Sequence, residues 1–87
     1  MKFNVFWADK RARKSYLDFP EQVQSRIKPT LLSLSEQPRP SGVKKLSGRL
    51  EGSWRVRVSD WRIICDIDDK AHTVTILDIG PRKSIYR

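Results

Sequence analysis

Cysteine, histidine and acidic residues are all scarce in this chain of 87 residues, and each scarcity closes off some chemistry. Cys65 stands alone, so there is no internal disulfide and no cysteine pair for a zinc site. His72 is the only imidazole, so any Ser-His-Asp triad would have to run through it. No grouping of Asp, Glu and His has metal-ligand spacing, and neither a metal nor a small-molecule cofactor is expected. No apolar run approaches the roughly 20 residues of a membrane-spanning helix. No apolar signal-type segment follows Met1-Lys2, so the expected compartment is the reducing cytoplasm, with no membrane partner. Internal repeats and low-complexity tracts are absent. The 10 acidic residues are outnumbered by 18 Lys and Arg, giving a net charge of +8.

What is present fits one small folded domain spanning residues 1–87. Hydrophobic residues make up 38% of the chain, enough for a modest core and too many for a disordered basic tail. Residues 1–43 and 44–87 each net +4, so the charge is spread over the domain rather than gathered in an arm. Such a balance points to an anionic partner.

The hydrophobic pattern predicts β-α-α-β-β-β, an α+β domain with an antiparallel sheet and a two-helix hairpin packed on one face. Phe3 to Trp7 is aromatic and β-branched, as an opening strand requires. Asp9 is placed to cap a helix running to about Phe19, with Ala12, Tyr16 and Phe19 inward and Lys10, Arg11, Arg13 and Lys14 on the other faces. Pro20 suits the first turn of a second helix, whose apolar stripe is Val23, Ile27, Leu31 and Leu34. Pro29 interrupts that stripe and is expected to kink or split the helix. Residues 37–52 hold Pro38, Pro40, Gly42, Gly48 and Gly52 and are expected to form a loop.

Three strands follow. Trp54-Arg55-Val56-Arg57-Val58 alternates strictly, Ser59-Asp60 is a turn candidate, and Trp61 to Ile67 returns. With a two-residue turn, Val58 faces Trp61, Val56 faces Ile63 and Trp54 faces Cys65, one side being core. The other side then carries Arg55 opposite Ile64 and Arg57 opposite Arg62. Like charges directly opposed across a ladder destabilise it, so this pairing points to an anion held between them. The last strand, Thr73 to Ile79, ends at Gly80-Pro81, and its register is open by one residue. With Leu77 and Ile79 inward, Asp78 would lie near Arg62. Trp61 and Cys65 fall on the core side, and His72 at the mouth of the last hairpin is a polar turn residue.

Leu46-Ser47-Gly48, the strand pair Trp54 to Ile64, and Ile79-Gly80-Pro81-Arg82-Lys83-Ser84-Ile85-Tyr86 together resemble the RelE/ParE superfamily of toxins. The resemblance covers nearly the whole chain. RelE-type members cut ribosome-bound mRNA without a metal, and ParE-type members poison DNA gyrase. In the RelE-type branch the RNA 2′-hydroxyl attacks the adjacent phosphorus while basic side chains stabilise charge. By position, the resemblance implies Arg55, Arg57, Arg62, Arg82 and Tyr86 as the catalytic set, and the presence of all five favours the nuclease. Lys10, Arg11, Arg13, Lys14, Lys44, Lys45 and Lys83 are the expected nucleic-acid contacts. Two departures stand out: arginines where RelE-type enzymes often carry lysine, and Pro81 where many carry histidine. Guanidinium is a poor proton acceptor but grips phosphate well, so Arg57, Arg62 and Arg82 read as electrostatic stabilisers. The general base stays open among Arg55, Lys83 and Tyr86. The implied partners are the ribosome with its mRNA and a cognate antitoxin protein.

Overall fold

The computed structural model describes residues 2–40, 42–46 and 52–81. Seven elements follow in chain order: β1 (Asn4–Trp7), α1 (Lys10–Leu17), α2 (Glu21–Ser33), β2 (Lys44–Lys45), β3 (Trp54–Val58), β4 (Trp61–Asp68) and β5 (Thr73–Pro81). The strands form one sheet in the order β1-β5-β4-β3-β2. The α+β class and the helical hairpin stand as expected, with two corrections to the sheet. It is mixed, because β1 runs parallel to β5 while the other pairings are antiparallel. It also gains β2, a two-residue strand inside the stretch expected to be loop.

Local chemistry sets the helix ends. Asp9 caps α1, its Oδ1 accepting the Ala12 N–H at 2.8 Å. The helix stops at Leu17, two residues short of expectation, with the Asp18 N–H donating to the Lys14 carbonyl and the Phe19 N–H to the Tyr16 carbonyl. Pro20 is the N-cap of α2 rather than its first-turn residue, and its ψ of 148° turns the chain sharply between the helices. The Gln24 side chain closes this corner by donating to the carbonyls of Leu17 (3.1 Å) and Phe19 (2.9 Å). Pro29 does not split the helix, one of the two outcomes expected of it: α2 runs unbroken through it. An interior proline costs a helix about 3 kcal/mol. Here Ile27 and Leu34, both fully buried on either side of it, hold the helix to the sheet.

The core lies between the helices and one sheet face. Tyr16, Ile27 and Leu34 from the helices meet Val56, Ile63, Cys65, Val74, Ile76 and Ile79 from the strands. In β5 the inward set is Val74, Ile76 and Ile79 because the register shifts at Leu77: Cys65 pairs with Ile76 and Ile64 with Asp78. This one-residue bulge resolves the open register. It leaves Leu77 only half-buried and outside the core cluster. Trp61 packs against the core, its ring 4.8 Å from that of Phe19. His72 takes the left-handed conformation (φ 54°) in the last turn, its ring 5.2 Å from Phe3.

Candidate nucleic-acid interface

The β3–β4 hairpin is built on the two-residue turn Ser59-Asp60, with Ser59 in the left-handed region at φ 56°. That turn fixes the register as expected: Val58 faces Trp61, Arg57 faces Arg62, Val56 faces Ile63, Arg55 faces Ile64 and Trp54 faces Cys65. Val56, Ile63 and Cys65 enter the core beneath the helices, so the alternation turns Arg55, Arg57 and Arg62 to the opposite face. The short strand β2 adds a fourth cation to that face, since Lys44 pairs with Arg55.

The arginines differ in burial, and the sheet order explains why. Arg62 lies on β4, flanked by strands on both sides, and is only 3% exposed. Its neighbour across β5 is Gly80, which has no side chain to fill the space beside the guanidinium. Arg57 is exposed, because the pairing of β2 reaches only as far as Arg55. Arg55 is half-buried. The Nε and Nη1 of Arg62 are buried and have no hydrogen-bond partner among the described residues. Asp78 lies on the same face, but its Oδ1 accepts from the Ile79 N–H at 2.9 Å and leaves those two nitrogens unsatisfied. A buried polar group left unbonded costs about 1–3 kcal/mol, more when charged. Opposed Cα atoms in an antiparallel ladder lie only about 4.5–5.5 Å apart, so Arg57 adds repulsion to that cost.

Gly42, Lys44, Arg55, Arg57, Ser59 and Asp60 line an open groove of about 640 Å³ along this end of the face. Gly42 turns the chain into β2 with a φ of 86°, a conformation that side chains disfavour. The far end of the same face is acidic. There a second open groove, about 630 Å³, is lined by Asp66, Asp68, Asp69, Thr73 and Thr75 among others. The face is therefore polarised, and an anionic strand is drawn to the arginine end.

The other expected contacts fall elsewhere. Lys10, Arg11, Arg13 and Lys14 are exposed on α1, which packs on the opposite side of the sheet, so they do not join the arginines. Lys14 is tied to Asp18 at 2.8 Å, and that hydrogen bond raises its pKa. Lys45 pairs with Trp54 and so points away from Lys44, its Nζ 5.7 Å from the indole centroid. Arg82, Lys83 and Tyr86 lie outside the described residues, as do Ser47 and Gly48. Cys65 is fully buried, and loss of solvation pushes its thiol up to about 11, which rules it out as a nucleophile near neutral pH. Among the described residues, no three His, Cys, Asp or Glu side chains gather into a group able to hold a metal ion.

A family model described as the ParE toxin of type II toxin-antitoxin systems, parDE, matches residues 8–86. The chain belongs to this toxin family. Solved structures agree on the wider RelE/ParE superfamily. The RelBE2 toxin-antitoxin complex of Mycobacterium tuberculosis has a chain 25% identical, with a TM-score of 0.81, over 94% of this chain and 100% of that one. The archaeal RelE-RelB complex of Pyrococcus horikoshii matches at 27% identity and a TM-score of 0.80, covering 97% and 99%. The YoeB-YefM complex of Staphylococcus aureus, at 18% identity, a TM-score of 0.69 and coverage of 92% and 97%, shares the fold. A search of curated proteins gives no significant match.

Within this ParE-family toxin, three of the five side chains expected to form the catalytic set are described, and the sheet brings all three to one face. Sequence reasoning grouped Lys44 with Lys45 and missed that only Lys44 shares the arginine face. The signal was faint, since two residues are too few to show alternation. The burial of Arg62 was also missed: an arginine flanked by apolar residues reads the same on a central strand as on an edge.

Proposed function

We propose that this toxin is a metal-independent, ribosome-dependent endoribonuclease that cleaves mRNA and so stops translation. One observation carries the proposal: Arg62 is buried with two guanidinium nitrogens unsatisfied among the described residues, directly opposite Arg57. A fold selected for stability alone has no reason to keep this arrangement, whereas a phosphate between the two arginines supplies the acceptor and removes the repulsion.

In the reaction we propose, the RNA 2′-hydroxyl oxygen attacks the adjacent phosphorus and the bond to the 5′-oxygen of the next nucleotide breaks. The products are a 2′,3′-cyclic phosphate and a 5′-hydroxyl. Negative charge grows on the non-bridging oxygens as the phosphorane forms. Arg57, Arg62 and Arg82 stabilise that charge, with Arg55 holding the strand. Guanidinium stays protonated near neutral pH, so the 2′-hydroxyl proton passes to another group and the 5′-oxygen receives one. Lys83 and Tyr86 are the side chains we assign to proton handling and base stacking.

The partner we assign is an antitoxin, of the kind that accompanies the toxin in the RelBE2, archaeal RelE-RelB and YoeB-YefM complexes. A groove between β1 and the helices supports this. Phe6, Leu17 and Leu32, large apolar side chains that are 49–64% exposed, all line it beside Lys28. An antitoxin segment with apolar anchors and flanking acids would cover it and answer the net charge of +8.

The match to the ParE toxin model favours a second reading, a toxin that inhibits DNA gyrase by binding, as ParE-type members do. Translation in a cell-free extract separates the two. The nuclease stops protein synthesis and leaves new mRNA 5′ ends. A gyrase inhibitor leaves synthesis running.

A further inference from the structure

We infer that Lys44 and Arg55 form a second phosphate subsite, which grips the phosphate next to the scissile one and fixes the strand along the groove. The inference rests on the RNA-cleaving function proposed above. It adds a residue, Lys44, whose place on the arginine face is set by a strand that the sequence did not show.

The sheet register carries the argument. Arg57 and Arg62 make one rung of cations, and Lys44 and Arg55 make the next. Arg55 and Arg57 are two residues apart on one strand, so along β3 the rungs are separated by about 6.7 Å, the second lying one strand nearer the sheet edge. That spacing is comparable to the separation of successive phosphates along an extended single strand. A phosphate on the Arg57–Arg62 rung therefore brings its neighbour over Lys44. Lys44 and Arg55 from one rung and Arg57 from the other line one groove, and among the described residues its only acidic lining residue is Asp60, at the turn beyond the Arg57–Arg62 rung.

Lys44 is also held in place. Leu46 donates its N–H to the Ser53 carbonyl at 2.8 Å, and Val43 donates to the Pro40 carbonyl at 3.1 Å. Ahead of β2, Arg39 makes two bonds of 2.9 Å to the Asp69 carboxylate and lies over the Trp54 ring at 4.8 Å. The loop leading into β2 is thus fastened to the sheet on both sides. No ion pair among the described residues occupies Lys44, whereas Lys2, Lys14 and Arg39 each meet an acid. The adjacent Lys45 has the same charge and is likewise exposed, but its Nζ lies over Trp54. Net charge alone would make the two lysines equivalent, and the register makes them unequal.

The test compares wild type, Lys44→Ala, Lys44→Arg and Lys45→Ala in the full chain. Each binds a short fluorescent 2′-O-methyl RNA, which lacks the attacking hydroxyl and so stays intact, over a range of salt concentrations. Lys44→Ala should weaken binding about five- to tenfold and reduce the salt slope by about 0.7, the share of one phosphate contact on a single strand. Lys44→Arg should restore both, and Lys45→Ala should match wild type. Equal losses from the two alanine variants, or no loss from Lys44→Ala, would overturn the subsite. Cleavage on programmed ribosomes is then measured with an uncharged methylphosphonate next to the scissile linkage. On one side of the cut this substitution should abolish the difference between wild type and Lys44→Ala. A difference that survives on both sides also overturns the subsite. If wild type binds RNA with the Lys44/Lys45 asymmetry but leaves ribosome-bound mRNA intact, the subsite stands and the nuclease function falls.

Discussion

Replacing Arg62 with methionine should stabilise the toxin while destroying its activity. The side chain is 3% exposed and its Nε and Nη1 have no partner among the described residues, so the folded state carries a desolvated cation with unmet donors. Two unsatisfied donors cost about 1–3 kcal/mol each, and the facing Arg57 adds repulsion. Methionine keeps the unbranched stem that packs beside Gly80 and removes both penalties. Exchanging buried ionic groups for apolar ones of similar volume has stabilised other proteins by about 1–4 kcal/mol. Discounting for the packing methionine does not recover, we expect about 1–3 kcal/mol here. In a domain of this size each kcal/mol moves Tm by about 4–8 °C, so Tm should rise by roughly 4–24 °C. Arg62→Ala should be near neutral, because the small side chain leaves a void that offsets the gain. Thermal melts and urea midpoints on purified wild type and both variants measure this. A methionine variant that melts below wild type would refute the reasoning, since it would mean that the guanidinium is satisfied in the folded state.

Three further outcomes follow from the structure. Asp9→Ala removes the carboxylate that accepts from the Ala12 N–H and should lower stability by about 1 kcal/mol, read from the urea midpoint. Cys65, fully buried with its thiol pushed up to about 11, should resist alkylation near pH 8 in the native protein and react at once in denaturant, as mass spectrometry would show. The hydrogen bonds from Arg39 depress the Asp69 pKa, so their contribution is complete above the ordinary carboxylate range and fades as pH falls through the lowered folded value. The gap in urea midpoint between wild type and Asp69→Asn should therefore be widest near neutral pH and close below about pH 4. A gap that does not change with pH would show that the ion pair contributes nothing to stability.

Much of the site was legible because its geometry is local. Strict alternation ahead of a two-residue turn leaves one register for β3 and β4, and that register alone puts Arg55, Arg57 and Arg62 on one face. The Asp9 cap and the stripe of Ile27 and Leu34 are short-range in the same way. Long-range features were not readable. The parallel pairing of β1 with β5 joins the two ends of the described chain, and nothing in Asn4 to Trp7 names its neighbour. The bulge at Leu77 adds one residue to an apolar run that satisfies either register until β4 is laid beside it. The persistence of α2 through Pro29 depends on burial on the sheet, which outweighs the local cost. The inequality of Lys44 and Lys45 depends on β3, not on the pair itself.

The claim that a preformed arginine site stabilises a phosphorane is tested most directly by single-turnover mRNA cleavage on programmed ribosomes, wild type against Arg62→Ala. Removing a donor that acts on developing charge costs about 100- to 1000-fold in rate, and ribosome binding should change far less because many other cations share it. The expected variant is folded and binds the ribosome, and its cleavage falls by at least that hundredfold. Cleavage by Arg62→Ala at close to the wild-type rate would contradict it and reduce the arginine face to a binding surface.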